Sequence, residues 1–399
     1  MNDARLRVVV CDNDEDRARG WCESIAELAP EAMSVEALPP AEFARALTAL
    51  NQRVLGAKRG ESFGGDDAIR FDEADVLVID SDLTPDPDEE LDDASVEDVL
   101  VGEVGDTVVR LARAHSRVGA IVMVNEAVKL RTFDLTLRRW SDGPADVYIT
   151  ESDVGNPGLW GFGQPADGYR PWSWPALKNL SRSLPSVTHG WTLKTRVFEA
   201  LGLPEEDVAR LSGQQIESLV DDVDDVNEIT FADVVHSRTY GLGRQPKEDE
   251  ELTQQLRTAF WGVRRWFERV VVAPQDVIID LPHLLQERPS LMTARGDLTS
   301  LNRAALDWWN GTESALLPEA QNSLASQLLA RPLWNVSALP RVERGEGPTA
   351  NDPVFCEDTS RFASPADASN FDSDLPGVFD SRWVERVQDA AYIPRRRLF

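Results

Sequence analysis

Short apolar runs that stop abruptly at acids set the pattern of the N-terminal third of the chain. Residues 5–11 (RLRVVVC) are rich in β-branched residues and end in Asp12-Asn13-Asp14-Glu15-Asp16. The next stretch, RARGWCESIAEL, spaces Trp21, Ile25 and Leu28 as a helix does, so strand, acidic loop and helix follow in order. A second strand is expected at 33–38 (MSVEAL). After Pro39-Pro40 comes a helix with Phe43, Leu47, Leu50 and Leu55 near one face. The clearest strand is Val76-Leu77-Val78-Ile79, a fully apolar run of the kind buried in parallel sheets, which stops at Asp80-Ser81-Asp82. A helix at 97–115, strands at 119–124 and 145–149 and a helical AVKLRTFDLTLRRW between them complete the alternation. Five strands alternating with helices predict a five-stranded parallel, doubly wound α/β domain over residues 4–151.

After Ser152 the pattern changes. Residues 152–175 are rich in Gly, Pro and aromatics and read as a junction, with 176–399 as a second, mainly helical domain with an irregular tail. Helices are expected at 176–184, 192–201, 204–220, 249–271 and 298–309, and a strand at 277–281. From Pro332 onward Pro, Asp and Ser predominate and predict irregular structure. A total of 399 residues fits this two-domain division. With 42% hydrophobic and 28% charged residues the composition is that of a soluble globular protein. No apolar run of membrane-spanning length occurs, and charges interrupt the N-terminus where a leader needs its apolar core. A cytoplasmic location is the expectation.

Charge changes the picture more than composition does. The net charge is −28, and such a surface repels phosphate backbones, so general nucleic-acid binding is disfavoured. The acids concentrate locally: from Asp75 to Asp106 there are 13 acids and no Lys or Arg, and the loop 81–98 is expected to be solvated. Cys11, Cys22 and Cys356 are too scattered for a disulfide framework or a zinc site, which suits a reducing compartment.

In a parallel sheet the strand carboxyl ends share one edge, so Asp12 and Asp14 can meet Asp80 and Asp82. Clustered carboxylates there can hold Mg²⁺, a hard cation that takes oxygen ligands, although acids in loops are common in so acidic a chain. Read as a DxD motif, Asp80-Ser81-Asp82 with Asp12 would make a Mg²⁺-dependent phosphoesterase or nuclease. The acidic surroundings oppose that reading, since such an enzyme needs a basic groove for its substrate.

This arrangement resembles the response-regulator receiver family over residues 4–151. The counterparts are Val10-Cys11-Asp12-Asn13 and Val78-Ile79-Asp80, with Leu83-Thr84-Pro85 placed like the hydrophobic-Pro step that follows the phospho-acceptor. The resemblance implies a receiver (flavodoxin-like) fold with Asp80 as the acceptor-like residue. It also exposes departures. Asn13 stands in place of one of the two metal-binding acids. Asn125 occupies the position of a Ser or Thr that contacts the phosphoryl group, and Glu151 that of the Lys that pairs with its charge. A carboxylate there repels a phosphoaspartate, and neighbouring Thr150 and Ser152 supply no cation. Phosphoryl transfer depends on positioning and charge neutralisation, so these losses predict a degenerate receiver with no required cofactor.

The C-terminal region carries ten of the twelve Trp residues. Trp172 and Trp174, in RPWSWP, are candidates for a partner surface, with a rigid structural junction as the simpler role. His283, in Asp280-Leu281-Pro282-His283, lies beside an acid just after a strand, but no nucleophile motif accompanies it and a hydrogen-bonded loop His is expected. The polar cluster Phe355–Phe362 fits a capped turn. Arg395, Arg396 and Arg397 close an acidic chain with a basic tail suited to docking on its own acids or on an acidic partner. No phosphate-binding glycine motif occurs. The expected function is therefore non-catalytic: a regulatory protein whose phosphorylation-incompetent receiver-like domain binds a protein partner. By analogy of fold, a protein of this organisation resembles components of bacterial stress or phage-defence systems. A working phospho-acceptor on Asp80 is the first alternative, and the Mg²⁺ enzyme the second.

Overall fold

The computed structural model describes residues 5–59, 66–83, 104–125, 144–164, 174–181, 190–221, 224–237, 252–291, 317–341, 349–371 and 382–386. The expected helices at 127–140 and 298–309, most of the acidic loop, Trp172 and the Arg395–Arg397 tail lie outside these residues.

The N-terminal elements are β1 (Leu6–Cys11), α1 (Glu15–Ala26), β2 (Met33–Leu38), α2 (Pro40–Arg59), α3 (Ile69–Glu73), β3 (Val76–Asp80), α4 (Gly105–His115), β4 (Ala120–Val124) and β5 (Val147–Ile149). The strands form one sheet in the order β2-β1-β3-β4-β5, all parallel, as the alternation predicted. This is the flavodoxin-like doubly wound order, whose strand carboxyl ends make a binding edge.

Each strand feeds two cores because successive side chains point to opposite faces. Val9, Cys11, Leu77, Ile79, Ile121 and Met123 pack with α2 and α4 on one face. Leu6, Val8, Val10, Val76, Val78 and Val122 pack with Ala18, Trp21 and Ile25 of α1 on the other. Burying each Val, Leu or Ile side chain stabilises the fold by about 1.5–3 kcal/mol. Leu55 departs from the expected face of α2 and is exposed. At about 100° per residue it has rotated roughly 120° from Phe43, past the edge of the buried stripe.

The junction completes the α1 face. A short helix, α5 (Pro157–Trp160), starts at Asn156 and ends at Gly161, whose φ of 76° is the left-handed cap a glycine accommodates. Trp160 is fully buried and donates its indole N–H to the Val154 carbonyl. Trp174 is buried as well and donates to the carbonyl of Tyr148 on β5 at 2.8 Å. Its ring is part of the core and offers no surface to a partner, which corrects its candidacy as an interaction residue.

The C-terminal region combines short helices with small sheets. Its central elements are α6 (Phe231–His236), α7 (Leu252–Trp266), β6 (Ile278–Asp280), α8 (Leu281–Glu287), α9 (Ser323–Leu329) and β7 (Leu333–Asn335). Four further strands, β8 (Val354–Cys356), β9 (Arg361–Ala363), β10 (Ser369–Phe371) and β11 (Arg382–Val384), form a sheet in the order β10-β11-β8-β9. Several expected helices are shorter. The stretch 204–220 divides at Ser212, whose hydroxyl caps a new helix while Gln215 returns a bond to its backbone. Within the helix expected at 249–271, α7 continues as a π-type turn over Phe267–Val272, and 249–251 lie outside the described residues. His283 lies on α8 rather than in a loop, because Asp280 caps that helix immediately after β6. The polar segment 355–362 is the tip of the β8–β9 hairpin.

The C-terminal region docks on the α/β unit through α7. Asp146, just before β5, accepts from Arg264 of α7 at 2.8 Å and forms a close ion pair with Arg113 of α4. The Arg113 guanidinium lies 3.8 Å from the centroid of the Trp261 ring, a cation–π contact strengthened by removal from water. No helix of the described residues is long and apolar enough to cross a membrane.

Candidate functional site

Parallel pairing places the acidic ends of β1 and β3 side by side, since Cys11 pairs with Ile79. Asp12 and Asp80 are therefore neighbours at the edge where the strands end, and both are almost fully buried. The loop after β1 makes a tight turn into α1: Asp12 accepts from the Asp14 backbone N–H at 3.0 Å, and Asp14 caps the helix by accepting from Asp16 and Arg17. This cap fixes Arg17 in the first helical turn, one residue before the buried Ala18.

From there Arg17 reaches back across the strand ends. Its Nε lies 2.6 Å from Asp12 Oδ2 and its Nη2 2.7 Å from Asp12 Oδ1, a two-pronged fork that matches the planar guanidinium. Nη2 also donates to Asp80 Oδ2 at 2.8 Å and to the Asn13 side-chain oxygen at 3.3 Å. One cation thus ties together three of the residues singled out from the sequence. The guanidinium beside these carboxylates comes from α1 and not from the position after β5, where the sequence supplies no Lys.

The electrostatics follow from this crowding. Burial, reinforced by the charge of Asp12, pushes the Asp80 carboxyl up to about 7 against the pull of Arg17 and of backbone N–H groups. Burial also raises Asp12, while Arg17 and the Asp14 N–H oppose it. Two buried carboxylates sharing one guanidinium favour retention of a proton near neutrality.

The remaining candidates serve other ends. Asp14 is the helix cap, and Asp82 is exposed in an isolated bridge to Val104. The four acids considered for Mg²⁺ therefore do not converge on one open centre. Among the described residues no group of three or more His, Cys, Asp or Glu side chains is placed to hold a metal ion. Arg17 engages both carboxylate oxygens of Asp12 and Oδ2 of Asp80. Glu151, in a short turn after β5, accepts from the Trp21 indole at 3.3 Å. Trp21 lies on α1 one turn beyond Arg17, whose guanidinium is 5.8 Å from its ring centroid. Asn125 sits at the end of β4, and its N–H bonds the Ile149 carbonyl.

The start of α4 closes the same edge. Gly105 donates to the Ser81 carbonyl at 3.1 Å, and a Cβ there would lie 2.4 Å from the Asp80 carbonyl oxygen. The excursion after β3 accordingly leaves and rejoins the edge at one point, which only a residue without a side chain can occupy.

Arg17 was legible in part. A basic residue in a first helical turn works against the helix dipole unless an anion compensates. Its position five residues after a strand-terminal Asp was the available signal.

No family model and no curated protein matches the chain. A solved structure similar to part of it is the signal receiver domain of the response regulator NarL from Mycobacterium tuberculosis. The match has 13% identity and a TM-score of 0.21, and it covers 38% of this chain and 91% of that one. The fold described above rests on strand order and register.

Proposed function

We propose that residues 4–151 form a receiver-like regulatory module that acts through protein–protein contact, with its acceptor-like carboxylate held by an internal arginine bridge instead of being phosphorylated. The observation that carries this reading is the Arg17 fork on Asp12 with its second bond to Asp80. An aspartate that accepts a phosphoryl group must present a free anionic oxygen, and the developing charge needs a cation beside it. Here the cation is spent on the resting carboxylates, and Asp80 titrates near 7, so a large share is protonated and non-nucleophilic at neutral pH. Asn13, Asn125 and Glu151 remove the other groups that phosphoryl transfer would use. A fixed edge of this kind suits a constitutive docking surface, with a regulatory role for the whole chain.

The test is incubation of the full-length protein with Mg²⁺ and acetyl phosphate, followed by intact-mass measurement beside Asp80→Asn. The expected result is no phosphoryl adduct in either protein. A stoichiometric adduct in the wild type that is absent from Asp80→Asn would overturn the proposal and establish a working phospho-switch.

A further inference from the structure

A second buried charge cluster lies in the C-terminal region, and neither the strand-edge site nor the docking of α7 uses it. At its centre is His283, buried on the first turn of α8. The helix-capping Asp280 faces one side of the ring, with Oδ1 2.6 Å from Nδ1. Glu357, in the turn after β8, faces the other, with Oε1 3.8 Å from Nε2. Arg382 of β11 grips Glu357 with a two-pronged fork, one arm at 2.6 Å, and donates to the Ala273 carbonyl at 3.0 Å. Gln275 holds Asp280 from behind through its side chain and backbone, and the Phe355 ring packs edge-on against the imidazole at 5.2 Å.

The charges balance in only one state. Asp280 and Glu357 bring two negative charges and Arg382 one positive, so the cluster is neutral when the imidazole is cationic. It carries an uncompensated buried charge when the imidazole is neutral, which is costly away from water. Other charged groups nearby are already engaged. Arg331, which also acts on Asp280, pairs with Glu268 at 3.2 Å, and Asp358 accepts from the Glu385 and Arg386 backbone N–H groups. Three separate pieces of chain, α8, the β8–β9 turn and β11, meet at this cluster, beside the β8–β11 pairing, the Phe355 N–H bond to Gln286 of α8 and the packing of Phe355 and Phe362 with Leu281, Leu284 and Leu285.

We propose that the Asp280–His283–Glu357–Arg382 network is a pH-sensitive latch that clasps the four-stranded C-terminal sheet onto α8 while His283 is protonated and loosens that sheet when it is not. Burial alone would lower the imidazole, but the charges and bonds of Asp280 and Glu357 outweigh it and hold His283 above its ordinary range. A group raised in the folded state contributes fully below its unfolded value near 6.5, and the contribution is lost as pH rises through the folded value. The latch is therefore closed in mildly acidic solution and releases toward alkaline pH. It does not depend on the phospho-acceptor reading.

The test is amide hydrogen exchange on the full-length protein from pH 6 to 9, corrected for intrinsic exchange rates. Strands β8, β9 and β11 are monitored with β1 and β3 as internal references. In the wild type the opening equilibrium of the C-terminal strands should rise by roughly tenfold for each unit by which His283 is raised, while β1 and β3 do not follow it. His283→Gln, which cannot titrate, should remove this pH dependence. A wild-type sheet whose protection is independent of pH, or a His283→Gln protein that keeps the wild-type dependence, would overturn the latch. If His283→Gln does not fold, nitrogen-15 imidazole shifts of the wild type decide: His283 still cationic at pH 7 supports the proposal, and His283 neutral at that pH refutes it.

Discussion

Removing the guanidinium of Arg17 while keeping a polar side chain, as in Arg17→Gln, tests the strand-edge site most directly. In the wild type that group makes the fork on Asp12 and the bond to Asp80, and its own side chain is only 24% exposed. Breaking a buried ion pair by removing one partner costs about 3–5 kcal/mol, because the other charge is left without compensation. Part of that cost is avoidable, since Asp80 titrates near 7 and can take up a proton. Holding Asp80 as an anion costs about 4 kcal/mol in the wild type, from roughly three pKa steps at about 1.4 kcal/mol each. Arg17→Gln should therefore destabilise the protein by about 3 kcal/mol at pH 7.5. The loss should be smaller at pH 5, where Asp80 is already protonated and only the Asp12 fork is missing. Urea denaturation followed by tryptophan fluorescence at both pH values measures this, with Asp80→Asn and the double variant closing a cycle. Near-additive single variants, or an Arg17→Gln protein within about 0.5 kcal/mol of wild type at pH 7.5, would refute the bridge.

Further outcomes follow from the same geometry. Asp80 is raised in the folded state, so between roughly pH 4 and 7 the native protein holds more protons than the unfolded chain and loses stability as pH rises; Asp80→Asn should flatten that slope in pH-dependent urea melts. Gly105→Ala puts a Cβ against the Asp80 carbonyl and should cost about 1–3 kcal/mol in thermal or urea melts; wild-type stability would show that α4 does not seat on that edge. Asp146→Asn strips the anion from between the buried Arg113 and Arg264 and should cost about 3–5 kcal/mol while speeding proteolysis between the α/β unit and α7. An unchanged digestion pattern would mean that α7 is not held there.

The parallel sheet was legible in the sequence because each strand carries its own evidence. Val76–Ile79 can only be buried, and the acids that follow mark where burial ends. Asp12 and Asp80 were legible for the same reason, as terminal residues of strands that parallel order brings to one edge. The helices of the C-terminal region were harder. Apolar spacing there runs on across the Ser212 cap, while Asp280 starts a helix where a loop was expected, and a cap ends or starts a helix through hydrogen bonds that periodicity does not register. Trp174 was a surface candidate because aromatic residues favour interfaces, yet it is buried and its indole bonds the Tyr148 carbonyl of β5.

The amino-acid sequence by itself thus determined the order of strands and helices in the α/β unit, the acidic edge and the two aspartates gathered on it, since these depend on local pattern and on the handed connections of a parallel sheet. Tertiary structure alone decided which charges meet. Arg17 reaches Asp80 from 63 positions away, and Arg382 reaches Glu357 from 25. The strength of an ion pair depends on distance and on exclusion of water, and neither quantity is written in the spacing of residues along a chain.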